Sequence, residues 1–211
     1  TGRAGVPLLV ALSVAFTGAA SAASVSDPAN DFVPSFTGPN NGDLDVLSAN
    51  VVFNGSDFTF TSTLNGAIGT TPGASYVFGL DRGAGTAGFK AIAPGVTFDS
   101  VFIIDPSGTS VVRDLTDGAS FNITDVSASG SMITGVVPLS DLPSKGFTPS
   151  NYLYNLWPKA ATGAQPISDF APDNSDARVT SSATPEPGTM SLVGISVLGA
   201  FALLRRRKTA Q

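Results

Sequence analysis

The chain of 211 residues contains 23 Gly and 15 Pro but neither Cys nor His. The absence of Cys and His excludes disulfide frameworks, thiolate or imidazole metal sites, and catalysis by a Ser-His or Cys-His pair. Residues 23–184 contain fifteen Asp, no Glu and six Lys or Arg, so this segment carries nine net negative charges. Such a segment is unsuited to nucleic acid, whose binding requires clustered cationic side chains.

The chain begins with the three regions of an export signal. Arg3 precedes an apolar run at residues 6–16, and small residues follow that run, including Ala20 and Ala22 in an A-x-A arrangement. The run is shorter than the roughly 20 apolar residues of a membrane-spanning helix. We therefore predict that residues 1–22 are a signal peptide, which signal peptidase removes.

The middle of the chain has the alternation of period two that is typical of β-strands. Residues 57–64 alternate Phe58, Phe60 and Leu64 with threonines, and an Asn-Gly turn joins them to the preceding apolar run. The predicted strands span residues 44–53, 57–64, 74–80, 96–104, 109–113, 120–126, 131–137 and 152–157. Short strands without intervening helices predict an all-β domain over residues 23–184, an antiparallel β-sandwich or jelly roll.

A glycine-rich stretch follows one of these strands. Gly83, Gly85 and Gly88 match the G-x-G-x-x-G pattern of dinucleotide-binding proteins. Only five residues, 89–93, separate the pattern from a Pro-Gly pair, which is too short for the helix whose N-terminus would bind a pyrophosphate. We therefore interpret the stretch as a flexible glycine loop.

Aspartates are concentrated in three predicted loops, and carboxylate oxygens are the ligands that calcium prefers. The pattern of an EF-hand loop is absent, so a prediction of calcium rests on the density of carboxylates alone. The alternative is that these aspartates are ordinary turn residues that bond their own backbone. The candidate calcium ligands are Asp27, Asp31, Asp43, Asp45, Asp169 and Asp173.

One aromatic residue is a candidate for stacking on a sugar ring. Trp157 ends a predicted strand and precedes Pro158 and Lys159, where an exposed ring would be available to a ligand. The alternative is a place in the core or at its edge. A glycosidase would need two carboxylates at a defined separation, and nothing in the sequence distinguishes such a pair from solvated loop acids.

The chain ends in three consecutive parts. A Pro-Glu-Pro motif at residues 185–187 is followed by an apolar run at residues 190–204, which as a helix would be a marginal span of about 22 Å. A basic block at residues 205–208 then stops the span, and the positive-inside rule keeps this block in the cytoplasm. The residues of the motif and of the block are Pro185, Glu186, Pro187, Arg205, Arg206, Arg207 and Lys208.

This tail, residues 185–211, resembles that of the PEP-CTERM family of exported bacterial proteins. The resemblance implies recognition by an exosortase, transient anchoring in the inner membrane, and processing near the Pro-Glu-Pro motif. It also implies a Gram-negative host, of a kind that often makes exopolysaccharide, so exopolysaccharide is a candidate partner.

Three short stretches of the middle domain resemble DOMON-like and carbohydrate-binding β-sandwiches. They are residues 27–31, 42–45 and 168–173. This resemblance implies a ligand-binding or adhesive sandwich.

Together these features predict an exported, non-enzymatic protein of the cell surface or extracellular matrix with a structural or adhesive role. A carbohydrate-binding module of the same fold is the first alternative, and a secreted hydrolase is the second. Calcium is the one cofactor that the sequence suggests.

Overall fold

The structure is a computed structural model, and it describes residues 24–182. The predicted signal peptide and the sorting tail lie outside this range. The described residues form fourteen β-strands and three single turns of 3-10 helix, so the prediction of an all-β fold is confirmed.

The strands alternate with short turns throughout the described residues. In chain order they are β1 (Val25–Ser26), β2 (Val46–Phe53), β3 (Asp57–Leu64), β4 (Ser75–Asp81), β5 (Thr86–Phe89), β6 (Ala93–Phe98), β7 (Ser100–Ile104), β8 (Ser110–Asp114), β9 (Ser120–Ile123), β10 (Val126–Ser129), β11 (Met132–Pro138), β12 (Leu153–Lys159), β13 (Ala177–Arg178) and β14 (Thr180–Ser181). The 3-10 turns are Gly42–Leu44, Leu139–Asp141 and Pro149–Asn151.

Two mostly antiparallel sheets face each other across the main core. The first has the order β1-β2-β3-β11-β10, with β14 added in parallel on β2, and the second has the order β13-β12-β4-β7-β8-β9. Phe60 of the first sheet packs edge-to-face on Phe78 and Phe102 of the second, each at 5.1 Å between ring centroids. These rings are fully buried, and the arrangement is that of a β-sandwich.

The turn between β2 and β3 forms as its residues predict. The Asn54 side-chain oxygen accepts hydrogen bonds from the backbone N–H groups of Ser56 and Asp57, both at 2.8 Å. Gly55 has a φ of 103°, which favours glycine. Alternating burial along β3 places Phe58, Phe60 and Leu64 inward, as the alternation predicted.

Two predicted strands are each divided in the structure. The predicted strand 96–104 is interrupted at Asp99, where the chain passes from β6, in a separate two-stranded sheet, to β7 in the second sheet. The predicted strand 120–126 is divided between β9 and β10, which lie in opposite sheets of the sandwich. Both predicted strands keep β-forming residues on each side of the crossing, so the sequence pattern does not show where the chain changes sheets.

The prediction of a flexible glycine loop was wrong for its second half, which is strand β5. β5 pairs with β6, and this hairpin covers the outer face of the second sheet. A Cβ at Gly88 would lie 2.3 Å from the Phe98 ring, so the glycine permits close packing there. The threonine, alanine and glycine of β5 gave too little apolar alternation to indicate a strand.

Both ends of the described domain lie along the same edge of β2. Val25 of β1 pairs with Ala49, and Thr180 of β14 pairs with Val52. The Ser182 N–H donates to the Phe53 carbonyl at 3.0 Å, so the chain leaves toward the sorting tail at the C-terminal end of β2.

Candidate metal centre

Five of the six predicted calcium ligands converge at the N-terminal end of β2. They form two overlapping groups, and within each group one carboxylate oxygen of every residue lies within 4.8 Å of those of the others. The groups are Asp27 with Asp31 and Asp173, and Asp31 with Asp45 and Asp169. The ligands therefore come from three separate segments of the chain, and Asp31 belongs to both groups.

Asp45 lies at the junction between the 3-10 turn Gly42–Leu44 and β2, and its side chain is fully buried. Its Oδ2 accepts hydrogen bonds from the backbone N–H of Asn30 at 2.9 Å and from the Asn65 side-chain amide at 2.8 Å. A Cβ at Gly42 would lie 2.8 Å from the Gly66 nitrogen, so two glycines allow the backbone crossing that brings Asn65 to Asp45. Asp45 is thereby fixed in one orientation.

Asp169 is also buried, with 1% of its surface exposed. Its Oδ2 accepts from the N–H of Val46, the first residue of β2, and its Oδ1 accepts from the N–H of Phe170, both at 2.8 Å. The neighbouring Ser168 hydroxyl donates to the Leu44 carbonyl at 2.7 Å. These bonds hold the segment before Asp173 against the start of β2.

Asp27 and Asp31 lie on a turn that follows β1. The Asp27 N–H donates to the Leu47 carbonyl at 3.0 Å, which continues the pairing of β1 with β2. Asn30 has a φ of 66°, a left-handed conformation that asparagine tolerates better than most residues. This conformation lets the chain turn so that Asp31 approaches the carboxylates of Asp45 and Asp169.

Asp173 is exposed and completes the outer group. Its loop is held by Asn155 on β12, whose side-chain amide donates to the carbonyls of Pro172 and Ser175. Within the described residues, the Asp173 carboxylate itself accepts no hydrogen bond. It is therefore available to an additional partner.

The charges of the cluster act strongly on one another. Burial, followed by the negative charges of the other four aspartates, raises the pKa of Asp27 to about 8. Burial raises the pKa of Asp169 to about 7, although its two backbone hydrogen bonds act in the opposite direction. Burial also raises the pKa of Asp31. Mutual repulsion and removal from water both disfavour the charged carboxylates, and a bound cation would relieve this cost.

Several buried oxygens in the cluster have no hydrogen-bond donor. They are Asp27 Oδ2, Asp31 Oδ1 and Asp45 Oδ1. A buried carboxylate oxygen without a donor is unfavourable, and a cation bound beside it would satisfy it. Calcium binds six to eight oxygens at 2.3–2.6 Å, and oxygens bound to one ion therefore lie up to about 5 Å apart. The oxygen spacing of both groups fits this requirement.

Asp43, the sixth predicted ligand, is not a member of either group. Its carboxylate accepts hydrogen bonds from the N–H of Thr71 at 2.6 Å and from the Thr71 hydroxyl at 2.7 Å. Asp43 therefore connects two distant loops, which differs from the alternative of a turn residue that bonds its own backbone. Because Asp43 and Asp45 are two residues apart, the density of aspartates in the sequence could not show that only Asp45 joins the cluster.

Sequence reasoning missed the residues that support the cluster. Asn30, Asn65 and Asn155 orient the acidic segments through the hydrogen bonds described above. Asn30 lies within a stretch that the sequence analysis singled out, but only for its aspartates. Asn65 and Gly66 form an ordinary turn pair, and Asn155 lies in a strand. Nothing in the sequence at either position therefore indicated a role in supporting the aspartates.

Trp157 lies in a second hydrophobic cluster on the outer face of the second sheet. Only 4% of its surface is exposed, and its ring packs against Phe89 at 4.8 Å and Phe98 at 5.1 Å between centroids. The β5–β6 hairpin supplies both phenylalanines. The structure thus places Trp157 in the core position that was the alternative to an exposed stacking ring.

A second charged cluster is paired internally. Arg82 is fully buried, and its guanidinium binds Asp99 at 2.7 Å and Asp114 at 2.8 Å. Lys145 also reaches Asp114, at 3.1 Å. Since carboxylates and cations neutralise one another here, this cluster is a structural ion-pair network.

Comparison with known proteins identifies the tail. Residues 183–208 match the family model of the PEP-CTERM protein-sorting motif, so the recognition of the tail is confirmed. The motif supports an exported protein that an exosortase processes, with a membrane-anchored sorting signal at its C-terminal end. No curated protein matches the chain.

The membrane-related segments predicted from the sequence fall outside the described residues. Residues 1–22 and 190–204 are the predicted signal peptide and tail helix. Across residues 24–182, no helix has the length and apolar character needed to cross a membrane.

Proposed function

We propose that residues 23–184 form a non-enzymatic, calcium-stabilised β-sandwich that acts at the cell surface or in the extracellular matrix. The observation that carries this proposal is the convergence of five aspartates from three segments, with buried carboxylate oxygens that have no donor. The sorting motif supports a location where calcium is abundant. Extracellular calcium modules work with dissociation constants of about 10⁻⁴ to 10⁻³ M.

The position of the cluster favours a structural role for the ion. The aspartates lie where the turn after β1, the start of β2 and the loop before β13 meet, so a cation would connect segments far apart in sequence. Four surface cavities among the described residues, about 340 to 430 Å³ in volume, are lined by other residues. None of these four is a substrate pocket built on the five carboxylates.

The cluster lies at the opposite end of β2 from the point where the described chain ends. Ser182, its last residue, bonds Phe53, whereas Asp45 precedes the first residue of β2. At about 3.3 Å per residue, the length of this strand separates the two points by about 23 Å.

Carbohydrate binding, the alternative function, has weaker support. Stacking on a sugar requires an aromatic ring with an open face, but Trp157 and all three tyrosines are buried, and the exposed aromatic rings of the described residues are the phenylalanines Phe121 and Phe147. Exopolysaccharide as a partner remains a prediction from the resemblance of the tail. Specific retention of the domain on a glycan array would favour this alternative over a purely structural role.

Scanning calorimetry with calcium and with a chelator tests the proposal. At a calcium concentration one hundred times the dissociation constant, binding to the folded state adds about 2.7 kcal/mol to the free energy of unfolding. For a domain of this size the melting temperature would rise by about 5–10 °C. Coincident melting curves under the two conditions would overturn calcium binding.

Two variants control this experiment. Asp45→Asn removes the charge of a buried carboxylate of the cluster and should clearly reduce the rise in melting temperature. Asp43→Asn changes an equally buried aspartate that bonds Thr71 instead, so it should lower the melting temperature in both conditions and leave the response to calcium intact.

A further inference from the structure

We infer that the five aspartates hold two adjacent calcium ions, an inner and an outer one, which share Asp31 as a bridging ligand. This inference rests on the proposed calcium-binding function and adds the number of ions, their order of affinity and the ligands of each. The inner ion belongs to Asp31, Asp45 and Asp169, and the outer ion to Asp27, Asp31 and Asp173.

The first argument is the spacing of the carboxylates. The five residues fall into two groups of mutually close oxygens, and only Asp31 is common to both. A carboxylate has two oxygens with about four lone-pair sites, so one side chain can bind two cations. Asp31 Oδ1 is buried and accepts no hydrogen bond, which leaves it free for this purpose.

The second argument is the balance of charge. When all five carboxylates are ionised they bring five negative charges to one place, and a single Ca²⁺ would leave three of them uncompensated. The ion pairs found among residues 24–182 join Arg82 and Lys145 to other aspartates, so protein cations do not supply the missing charge here. Two Ca²⁺ ions reduce the net charge of the cluster to one negative charge.

The third argument concerns the inner position. Asp45 has no exposed surface, and its Oδ2 accepts two hydrogen bonds while its Oδ1 accepts none. The donors therefore hold the side chain still and leave one buried oxygen for a cation. Asp169 is similarly fixed by two backbone N–H groups, and each of its oxygens retains a lone pair.

The two positions differ in rigidity and exposure. The inner ligands Asp45 and Asp169 are buried and held by hydrogen bonds, whereas Asp173 in the outer group is exposed. Ligand rigidity and charge count determine calcium affinity. The inner ion should therefore bind more tightly, and the outer ion should complete its coordination with water.

The test counts the ions bound to the full chain, purified in detergent and freed of metal with a chelator. Equilibrium dialysis against radioactive calcium gives the number of ions per chain and the affinity of each. The acidic residue outside residues 23–184 is Glu186 alone, so the tail adds little calcium binding of its own. We expect two ions per wild-type chain, with distinct affinities.

Variants assign the ions to their ligands. Asp173→Asn changes an exposed side chain and should leave one tightly bound ion, whereas Asp31→Asn should weaken both sites. Asp125→Asn removes an exposed aspartate that lies outside both groups, and it should keep two ions. Circular dichroism of each variant verifies that it is folded.

The outcomes separate this inference from the proposed function. One ion per wild-type chain would overturn the paired site but leave a single calcium site standing. No bound ion would overturn both. Two ions bound by the Asp173→Asn variant, or one ion bound with wild-type affinity by folded Asp31→Asn, would show that the ligands are assigned wrongly.

Discussion

The carboxylate of Asp169 accepts a hydrogen bond from the backbone N–H of Val46, 123 residues earlier in the chain, at 2.8 Å. Val46 begins β2, on which the first and the last strands of the described domain pair. This bond therefore connects the closing loop to the strand that organises both ends of the domain. A cation held by Asp169 and Asp45 would act at the same junction.

Hydrogen exchange should reveal this junction directly. We expect calcium to slow amide exchange in residues 27–31 and 167–176, because a bound ion opposes local opening of the segments that it connects. The β7–β8 hairpin, which lies outside the junction, should exchange at the same rate with and without calcium and serves as an internal control. Equal rates in residues 167–176 under both conditions would contradict a role for the ion there.

Asp169→Asn should weaken the protection from exchange that calcium provides. This variant keeps a side-chain oxygen for the Val46 N–H but lacks the charge of one inner ligand, so calcium should protect residues 167–176 less than it does in the wild-type chain. The exchange of the β7–β8 hairpin should be unchanged. Calcium-dependent protection that is undiminished in this variant would mean that Asp169 is not a ligand.

The metal-free domain should become more stable as the pH falls from about 8 to about 5. The pKa values of Asp27 and Asp169 are raised to about 8 and about 7, above the unfolded value of 3.8, so the folded state takes up protons first. Their protonation stabilises the folded state below these values, and that contribution is lost as the pH rises through them. Melting in chelator at several pH values measures the effect.

The stabilisation that calcium provides should depend on pH in the opposite direction. Protons and calcium compete for the same carboxylates, so the stabilisation by calcium should be largest near pH 8 and decrease toward pH 5. Asp27→Asn should reduce the pH dependence of the metal-free domain, whereas Asp125→Asn should not. A metal-free melting temperature that rises steadily from pH 5 to pH 8 would contradict the arrangement of charges described here.

The sorting tail should determine where the protein resides. Deletion of residues 185–187 should leave the precursor uncleaved in the inner membrane, because the processing enzyme is expected to recognise this motif. Cell fractionation and intact-mass measurement provide the test, with deletion of three residues in the loop 161–163 as the control. Mature wild-type protein that still carries Arg205 to Lys208 would show that the tail is a permanent anchor.

The sequence was sufficient for the fold class and for naming the five aspartates that the structure brings together, because both follow from local patterns. Alternation places Phe58 and Phe60 inward, and the loop aspartates stand out in a chain that has few charged residues. The sequence could not separate Asp43 from Asp45, because the different hydrogen-bond partners of these two residues depend on which loops meet in three dimensions.

Trp157 shows a second limit of sequence reasoning. It alternates with Tyr154 and Leu156 of the main core, so its ring lies on the outer face of the sheet. The ring was a candidate for a ligand because Trp157 ends the predicted strand and precedes Pro158 and Lys159. The β5–β6 hairpin that covers it has too weak a pattern to be predicted, so the burial of the ring could not be foreseen.

The last prediction concerns the buried ion pairs of Arg82. Arg82→Met should lower the free energy of unfolding by about 3–5 kcal/mol, because it leaves the buried carboxylates of Asp99 and Asp114 without their main cation. Hydrogen bonds from Thr116 and Arg82 overcome the effect of burial and hold the pKa of Asp114 below its ordinary range. Removal of Arg82 should therefore also make stability less sensitive to acid.

Lys145→Met is the matched control for Arg82→Met. Lys145 also bonds Asp114, at 3.1 Å, but its side chain is partly exposed to water. The loss should therefore be at most about 1 kcal/mol, as for surface ion pairs. Urea denaturation of both variants with calcium present measures the two effects while the five aspartates of the cluster stay unchanged. If the two substitutions cost the same, the Arg82 cluster stabilises the sandwich no more than a surface pair does, and the buried charges are compensated in another way.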